Sequence, residues 1–167
     1  MSELEQKVLD CLCENSHYTN KEISLIVNAS EKEVKEIIEK LENNGTILKY
    51  GAVLNLEENK KVNAFIEVKV TPQAMYGFDK IAEELCQFNE IKSMYLMSGA
   101  FDLALFVEGD NLIDISNFIS EKLSQIDGIV NVSTHFVLKN YKVDGAICLK
   151  VNDRERQIAL WGTMYQK

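Results

Sequence analysis

The run Ser98-Gly99-Ala100-Phe101-Asp102 joins two apolar, alternating segments and carries residue types suited to holding a small zwitterion. Gly99 has no Cβ, so a ligand or another backbone can come close, and exposed N–H groups in a tight connection can hold a carboxylate. Asp102 is a natural counter-charge for an ammonium group. If the run does hold a ligand, Ser98, Ala100 and Phe101 would line the same pocket, and Ser133 and Thr134, from the last apolar stretch of the same or a neighbouring subunit, would add hydroxyls. The same residues also read as a plain hairpin turn, with Gly99 supplying backbone freedom and Asp102 bonding its own loop. Ser133 and Thr134 would then be ordinary strand surface. Taken locally, the turn is the commoner explanation. His135 lies beside them, its labile charge near neutral pH being its only special claim.

A second set of candidates lies in SEKEVKEIIEKLE (30–42), which holds five glutamates, three lysines and no arginine. If this segment is a helix lying in a DNA groove, its cap Ser30 and first turn would enter first. Ile37 would offer only a methyl contact to thymine, not the bidentate guanine contact of an arginine. Lys32 and Lys35 would reach phosphates, as would Thr19, Asn20 and Lys21 from a preceding helix and Lys49 and Tyr50 from a wing; Lys40 would lie on the same outward side. The plainer alternative is a solvated face of i, i+4 pairs such as Glu31 with Lys35 and Glu36 with Lys40.

The elements that must position these residues follow from periodicity. Leu4, Val8 and Leu12, then Ile23, Ile26 and Val27, then Val34, Ile38 and Leu41 fall at helical spacing. Each stripe opens with a Ser or Thr and a Glu three residues on: Ser2 with Glu5, Thr19 with Glu22, Ser30 with Glu33. The short link NAS (28–30) sets the second and third helices as a helix-turn-helix, and Asn44 or Gly45 ends the third. Two short strands turning near Lys49 to Gly51 would complete a winged helix-turn-helix. We place this domain at 1–54, with a polar linker at 55–61. From there the spacing predicts strands at 62–71, 91–98, 102–109 and 130–141 and helices at 73–88 and 111–126. The second helix would carry a stripe of Leu112, Ile115, Ile119, Leu123 and Ile126. The order β-α-β-β-α-β is the ferredoxin-like unit, placed at 62–145, so the fold class is α+β. A C-terminal extension, 146–167, holds both arginines, Arg154 and Arg156, and the only tryptophan, Trp161.

Composition sets limits on function. A formal charge of −8 argues against nucleic acid at long range, and the first sixty residues, with seven lysines against twelve acids, are at −5. Salt screens charges beyond about 8 Å, however, so the face at the groove decides. No G-x-S-x-G, H-E-x-x-H or G-x-x-x-x-G-K-S/T occurs, and His17 and His135 fall in different domains, so no catalytic set emerges. Cysteines 11, 13, 86 and 148 match no common zinc spacing and read as reduced thiols. No cofactor or metal is expected. The start of the chain has no signal-peptide pattern and no apolar run is long enough to span a membrane, so the expected location is cytoplasmic.

Two motifs carry a family resemblance. Ser30, Val34, Ile37, Ile38, Lys40, Leu41, Glu42, Gly45 and Ile47 follow the third-helix pattern of the Lrp/AsnC, or feast/famine, transcription regulators, with Ile37 and Lys40 where that pattern has arginine. SGAFDLALFVEG (98–109) and GIVNVSTHFVLKNYKVDG (128–145) resemble the signatures of its effector domain, the RAM domain. The tail NDRERQIALWG (152–162) is similar to the charged extension of some bacterial members. The resemblance implies a DNA-binding regulator, not an enzyme. It also implies a homodimer of packed sheets built into tetramers or octamers, with an amino-acid-like effector bound between subunits at the GAFD loop, which favours the ligand reading of Ser98 to Asp102. One alternative is an effector-sensing oligomer that has lost DNA binding and acts on a related regulator. Another is the siroheme decarboxylase branch, whose histidine and arginine around a tetrapyrrole are poorly matched by His135 and a tail holding the only arginines.

Overall fold

The computed structural model describes residues 1–54, 60–71 and 77–148. The chain divides into two compact units, Met1–Ala52 and Val53–Lys167.

The first unit contains α1 (Glu3–Glu14), α2 (Asn20–Val27) and α3 (Glu31–Asn43). All three capping boxes form: the hydroxyls of Ser2, Thr19 and Ser30 accept the N–H of Glu5, Glu22 and Glu33, whose carboxylates accept the cap N–H in return. Val8, Cys11, Leu12, Ile23 and Val34 form the core, with Tyr18, Val27, Ala29, Ile37, Ile38 and Ile47 packed against it. Ile26 departs from the expected stripe and is 58% exposed. The buried side of α2 centres on Ile23, Ser24 and Val27, and at about 100° per residue Ile26 is turned roughly a quarter turn away. Ser24 is buried because its hydroxyl donates to the Lys21 carbonyl at 2.8 Å. Gly45, at φ +74°, adopts the left-handed conformation that ends α3.

The expected strands around Lys49–Gly51 do not pair. Residues 47–54 carry no strand, and Leu48, Tyr50, Val53 and Leu54 are exposed, Ile47 alone packing on the helical core. A ribbon of two short strands is marginal in water without a face to pack on.

In the second unit β1 (Val62–Val70), β2 (Ile91–Leu96), β3 (Leu103–Gly109) and β4 (Ile129–Phe136) form a sheet ordered β2-β3-β1-β4, every neighbouring pair antiparallel. This is the ferredoxin-like order. Alternation puts Ala64, Ile66, Val68 and Val70 of β1 with Leu103, Leu105 and Val107 of β3 on one face. That face packs against Ile81 and Leu85 of α4 (Asp79–Leu85), and against Ile115, Phe118, Leu123 and Ile126. Of the helix expected at 73–88, α4 forms Asp79–Leu85, ending short of 88; residues 77 and 78 are not helical and 72–76 lie outside the described residues. Residues 55–59 of the expected linker (55–61) and the tail from 149, with Arg154, Arg156 and Trp161, lie outside them too.

The single helix expected at 111–126 is instead three pieces: α5 (Leu112–Asn117), a wide π turn (Phe118–Lys122) and a 3-10 turn (Leu123–Gln125). The buried residues step 115, 118, 123, 126, and the i→i+5 turn accommodates the five-residue step between Phe118 and Leu123. Leu112, expected in the stripe, is exposed. Just before β4, Gly128 has φ +95° and a Cβ there would lie 2.9 Å from Ile81 Cδ1, so a side chain would be strained and would push that methyl aside.

The strand expected at 130–141 stops at Phe136, after which Val137 N–H still donates to the Asn63 carbonyl at 2.8 Å. The chain then forms a small ribbon of β5 (Lys142–Val143) and β6 (Ala146–Ile147) across the two-residue loop Asp144-Gly145. Both loop residues have positive φ, +44° and +85°, as the twist of a tight hairpin requires.

Candidate functional site

The helix-turn-helix presents most of the expected DNA contacts outward. Thr19, Lys21, Ser30, Lys32 and Lys35 are exposed and Asn20 is half-buried. The turn from α2 to α3 is set by Asn28, whose left-handed φ of +54° caps α2, and by Ser30, which starts α3 two residues later. This places the N-terminal turn of α3 at the surface with its cap satisfied by Glu33.

Three expected contacts are otherwise engaged. Ile37 is not a free groove residue, since it is half-buried and packs on the core of the first unit. Lys40 donates to Glu5 Oε1 of α1 at 2.6 Å rather than to Glu36, and Glu5 is only 12% exposed. That hydrogen bond, followed by the Ser2 N–H, holds the Glu5 carboxyl below its ordinary range. The Tyr50 hydroxyl donates to Glu42 at 2.9 Å, and partial burial followed by that carboxylate raises the phenol. The i, i+4 pairs that form are Lys32 with Glu36 and Lys35 with Glu39, each at 3.7 Å, in place of the Glu31–Lys35 and Glu36–Lys40 pairs expected. At that distance and exposure they are worth little and yield readily to a phosphate. Among the described residues Lys21 and Lys49 have no ion-pair partner.

The connection from β2 to β3 is closed by Met97 N–H donating to the Asp102 carbonyl at 2.8 Å. Between these residues, Ser98, Gly99 and Ala100 are exposed and Phe101 half-buried. Among the described residues no hydrogen-bond partner accepts the N–H of Ser98, Gly99, Ala100 or Phe101. Gly99 has φ +138°, and a Cβ there would meet nothing within 4 Å, so backbone freedom rather than crowding calls for glycine.

Asp102 is tied to β1 on both sides of its irregularity at Lys69/Val70. Its Oδ2 accepts the Val70 N–H at 2.9 Å and its Oδ1 accepts from Lys69 Nζ at 3.0 Å. The Val70 N–H first, and Lys69 second, hold the carboxyl below its ordinary range. Phe101 meets Phe65 edge to face at 6.0 Å, and Phe65 in turn lies 5.3 Å from Phe106. These rings, with Tyr95, lie on the sheet face away from the helices, where Tyr95 and Phe106 are exposed.

Ser133 and Thr134 do not share a face. Thr134 pairs with Ile66 and so lies on the helix side, whereas Ser133 pairs with Glu67 and lies on the open side. β1 separates their strand from the loop. Ser133 Oγ is 3.3 Å from His135 Nε2 and Glu67 Oε1 is 3.7 Å from the same nitrogen. Because both partners meet one nitrogen, the set cannot relay a proton from serine through the ring to the carboxylate. No group of His, Cys, Asp and Glu among the described residues could hold a metal, and the four thiols are free.

Sequence reasoning passed over two features. Lys69 carried no motif, since its pairing with Asp102 depends on strand register. A cavity of about 420 Å³ on the open face is lined by Asn63, Tyr95, Phe106, Asn140, Lys142 and Asp144, at the opposite end of β3 from the Gly99 loop. V-D-G-A (143–146) was the available signal for the ribbon beside it.

Comparison with known proteins gives these features a context. Residues 1–47 match the model of a winged helix-turn-helix DNA-binding domain, and residues 63–147 match that of the Lrp/AsnC ligand binding domain. The HTH-type transcriptional regulator YugG of Bacillus subtilis is 38% identical over 163 residues, covering 96% of this chain and 98% of that one. FL11 of Pyrococcus furiosus, also an HTH-type transcriptional regulator, is 27% identical over 85% of this chain and 92% of its own. Among solved structures, the regulator NMB0573 of Neisseria meningitidis in complex with L-Met superposes with a TM-score of 0.69 at 26% identity, covering 86% of this chain and 93% of that chain. An AsnC family regulator from Agrobacterium tumefaciens gives the same score and identity over 86% of this chain and 94% of its own. The relatives are transcriptional regulators, which sets aside the haem-pathway reading. The chain belongs to the Lrp/AsnC family of DNA-binding transcriptional regulators.

Proposed function

We propose that the chain binds double-stranded DNA through the exposed starts of α2 and α3, and that a small amino-acid-like effector at the Gly99–Asp102 loop changes that binding. The observation that carries the effector assignment is the exposed stretch Ser98–Ala100, with no partner for its N–H groups among the described residues, followed at once by the Asp102 carboxylate. Unpaired backbone N–H groups in a tight connection favour a carboxylate, and Asp102 favours an ammonium. That the Neisseria neighbour holds L-Met supports the same ligand class.

On the DNA side, Lys21 and Lys49 supply cations with no competing carboxylate among the described residues, and Lys32 and Lys35 exchange weak Glu partners for phosphate. Ser30 and the first turn of α3 face the groove. The open sheet face, with Tyr95 and Phe106 exposed, is the surface on which a second copy packs to give a homodimer, from which tetramers or octamers are built. Several reading heads in one assembly raise the effective affinity of a weak reader.

A gel shift of the full chain on its own upstream DNA tests the reading. We expect a specific complex that weakens steeply with salt, and whose affinity shifts with one member of a panel of amino acids. That same amino acid should raise the melting temperature of the chain, and Asp102→Ala should abolish the response. Absence of any protected DNA at low salt would instead support the second reading, an effector-sensing partner that pairs with a related regulator. The observation favouring that reading is that Lys32, Lys35 and Lys40 are each within 4.0 Å of a glutamate.

A further inference from the structure

We propose that Lys69 is the carboxylate anchor of the effector site, and that its ion pair with Asp102 opens by exchange with a zwitterionic α-amino acid bearing an apolar side chain. This rests on the assignment of the effector to the Gly99–Asp102 loop and adds a specificity residue to it.

The two oxygens of Asp102 are held differently. Oδ2 accepts a backbone N–H, that of Val70 at 2.9 Å, and is fixed by the sheet. Among the described residues Oδ1 accepts only the Lys69 ammonium at 3.0 Å, on a flexible side chain that is 45% exposed against 18% for Asp102. An α-ammonium carries the same charge and the same three donors as Lys69 Nζ. It can therefore take the Lys69 position on Oδ1 without leaving Asp102 unpaired.

What happens to the displaced lysine decides the ligand class. A plain amine would leave Lys69 without a counter-charge beside a partly desolvated site. A plain carboxylic acid would pair with Lys69 while bringing a second negative charge toward Asp102. Only a molecule with ammonium and carboxylate on the same or a neighbouring carbon replaces one ion pair by two. Phe101 adjoins Asp102 and meets Phe65 edge to face, so the side chain beyond the zwitterion meets an aromatic wall. The favoured ligands are neutral, apolar α-amino acids.

Isothermal titration of the full chain provides the test, with L-leucine, L-methionine, L-valine and L-phenylalanine each set against its decarboxylated amine. We expect the wild type to bind at least one of these amino acids and to bind the matching amine about tenfold more weakly, a typical effect of one charge-assisted contact. Lys69→Met should narrow that difference to about threefold, the remainder being the share of the loop N–H groups, and Lys69→Arg should restore most of it. Equal binding of amine and amino acid by the wild type would overturn the exchange while leaving the effector site in place, and that comparison needs no variant to fold. Unchanged amino-acid affinity in Lys69→Met would overturn it as well. Binding of none of the four amino acids by the wild type would overturn the proposal, and binding of none of the twenty would overturn the effector assignment itself.

Discussion

In the helical unit most of the residues proposed to meet DNA come from short stretches, 19–21 and 30–35, each ordered by its own capping box, with Lys49 alone beyond them. In the sheet unit Asp102 is ordered by Lys69 and Val70, 33 and 32 residues earlier in the chain. The first kind of site depends on local hydrogen bonds and a small core. The second depends on strand register, so a change in β1 reaches the loop at once. The contrast extends to charge: the helical unit pairs lysines with glutamates on its solvent side, where they cost little to release, while the sheet unit spends its key pair on fixing a loop.

Three changes sharpen this contrast. The largest effect should come from Ile23→Ala, which removes a fully buried side chain from the small helical core. A loss of about 2–5 kcal/mol is the usual range, enough to unfold the first unit while the second keeps its effector-induced thermal shift. Calorimetry that shows one transition lost and one retained would establish the independence of the two; loss of both would break the comparison.

Gly128→Ala should cost about 1–3 kcal/mol in the second unit, because a methyl meets Ile81 and the positive φ disfavours alanine. Urea melts would show the loss there with DNA contacts of the first unit intact. A near-neutral result would mean that β4 can shift without disturbing the sheet.

The smallest effect concerns pH. Since the folded Asp102 carboxyl is held below its ordinary range, its stabilisation is complete above the unfolded value near about 3.9 and fades as pH falls through the lower, folded value. Asp102→Asn should therefore flatten the fall in melting temperature of the sheet unit below about pH 4. A fall of equal depth in wild type and variant would place the acid sensitivity elsewhere.

Legibility in the sequence follows the same division. The caps at Ser2, Thr19 and Ser30 and the stripes beneath them were readable because each signal and its partner lie within one turn. Ile26 was misplaced because an eight-residue helix offers too few positions to fix its buried side. The βαββαβ order was readable from alternation, yet the wide turn at Phe118–Lys122 was not, since a five-residue step between core residues is visible only once the sheet is in place. At the loop, Gly99 and Asp102 stand out by type, while the Lys69 partner of Asp102 does not, because no spacing rule links the two. Ser133 and Thr134 both carry a hydroxyl suited to a ligand, but adjacent strand residues point to opposite faces, a difference that residue type alone does not show.

We propose that this acidic chain reads DNA through a few cations, Lys21 and Lys49 first, that have no carboxylate partner among the described residues. The most direct measurement is the salt dependence of binding to its own upstream DNA by wild type, Lys21→Gln and Lys49→Gln. The account predicts that each variant binds more weakly and that its slope of log K against log salt is shallower by about one, as expected for one lost phosphate contact. Slopes identical in all three proteins, or no binding by the wild type at low salt, would contradict it.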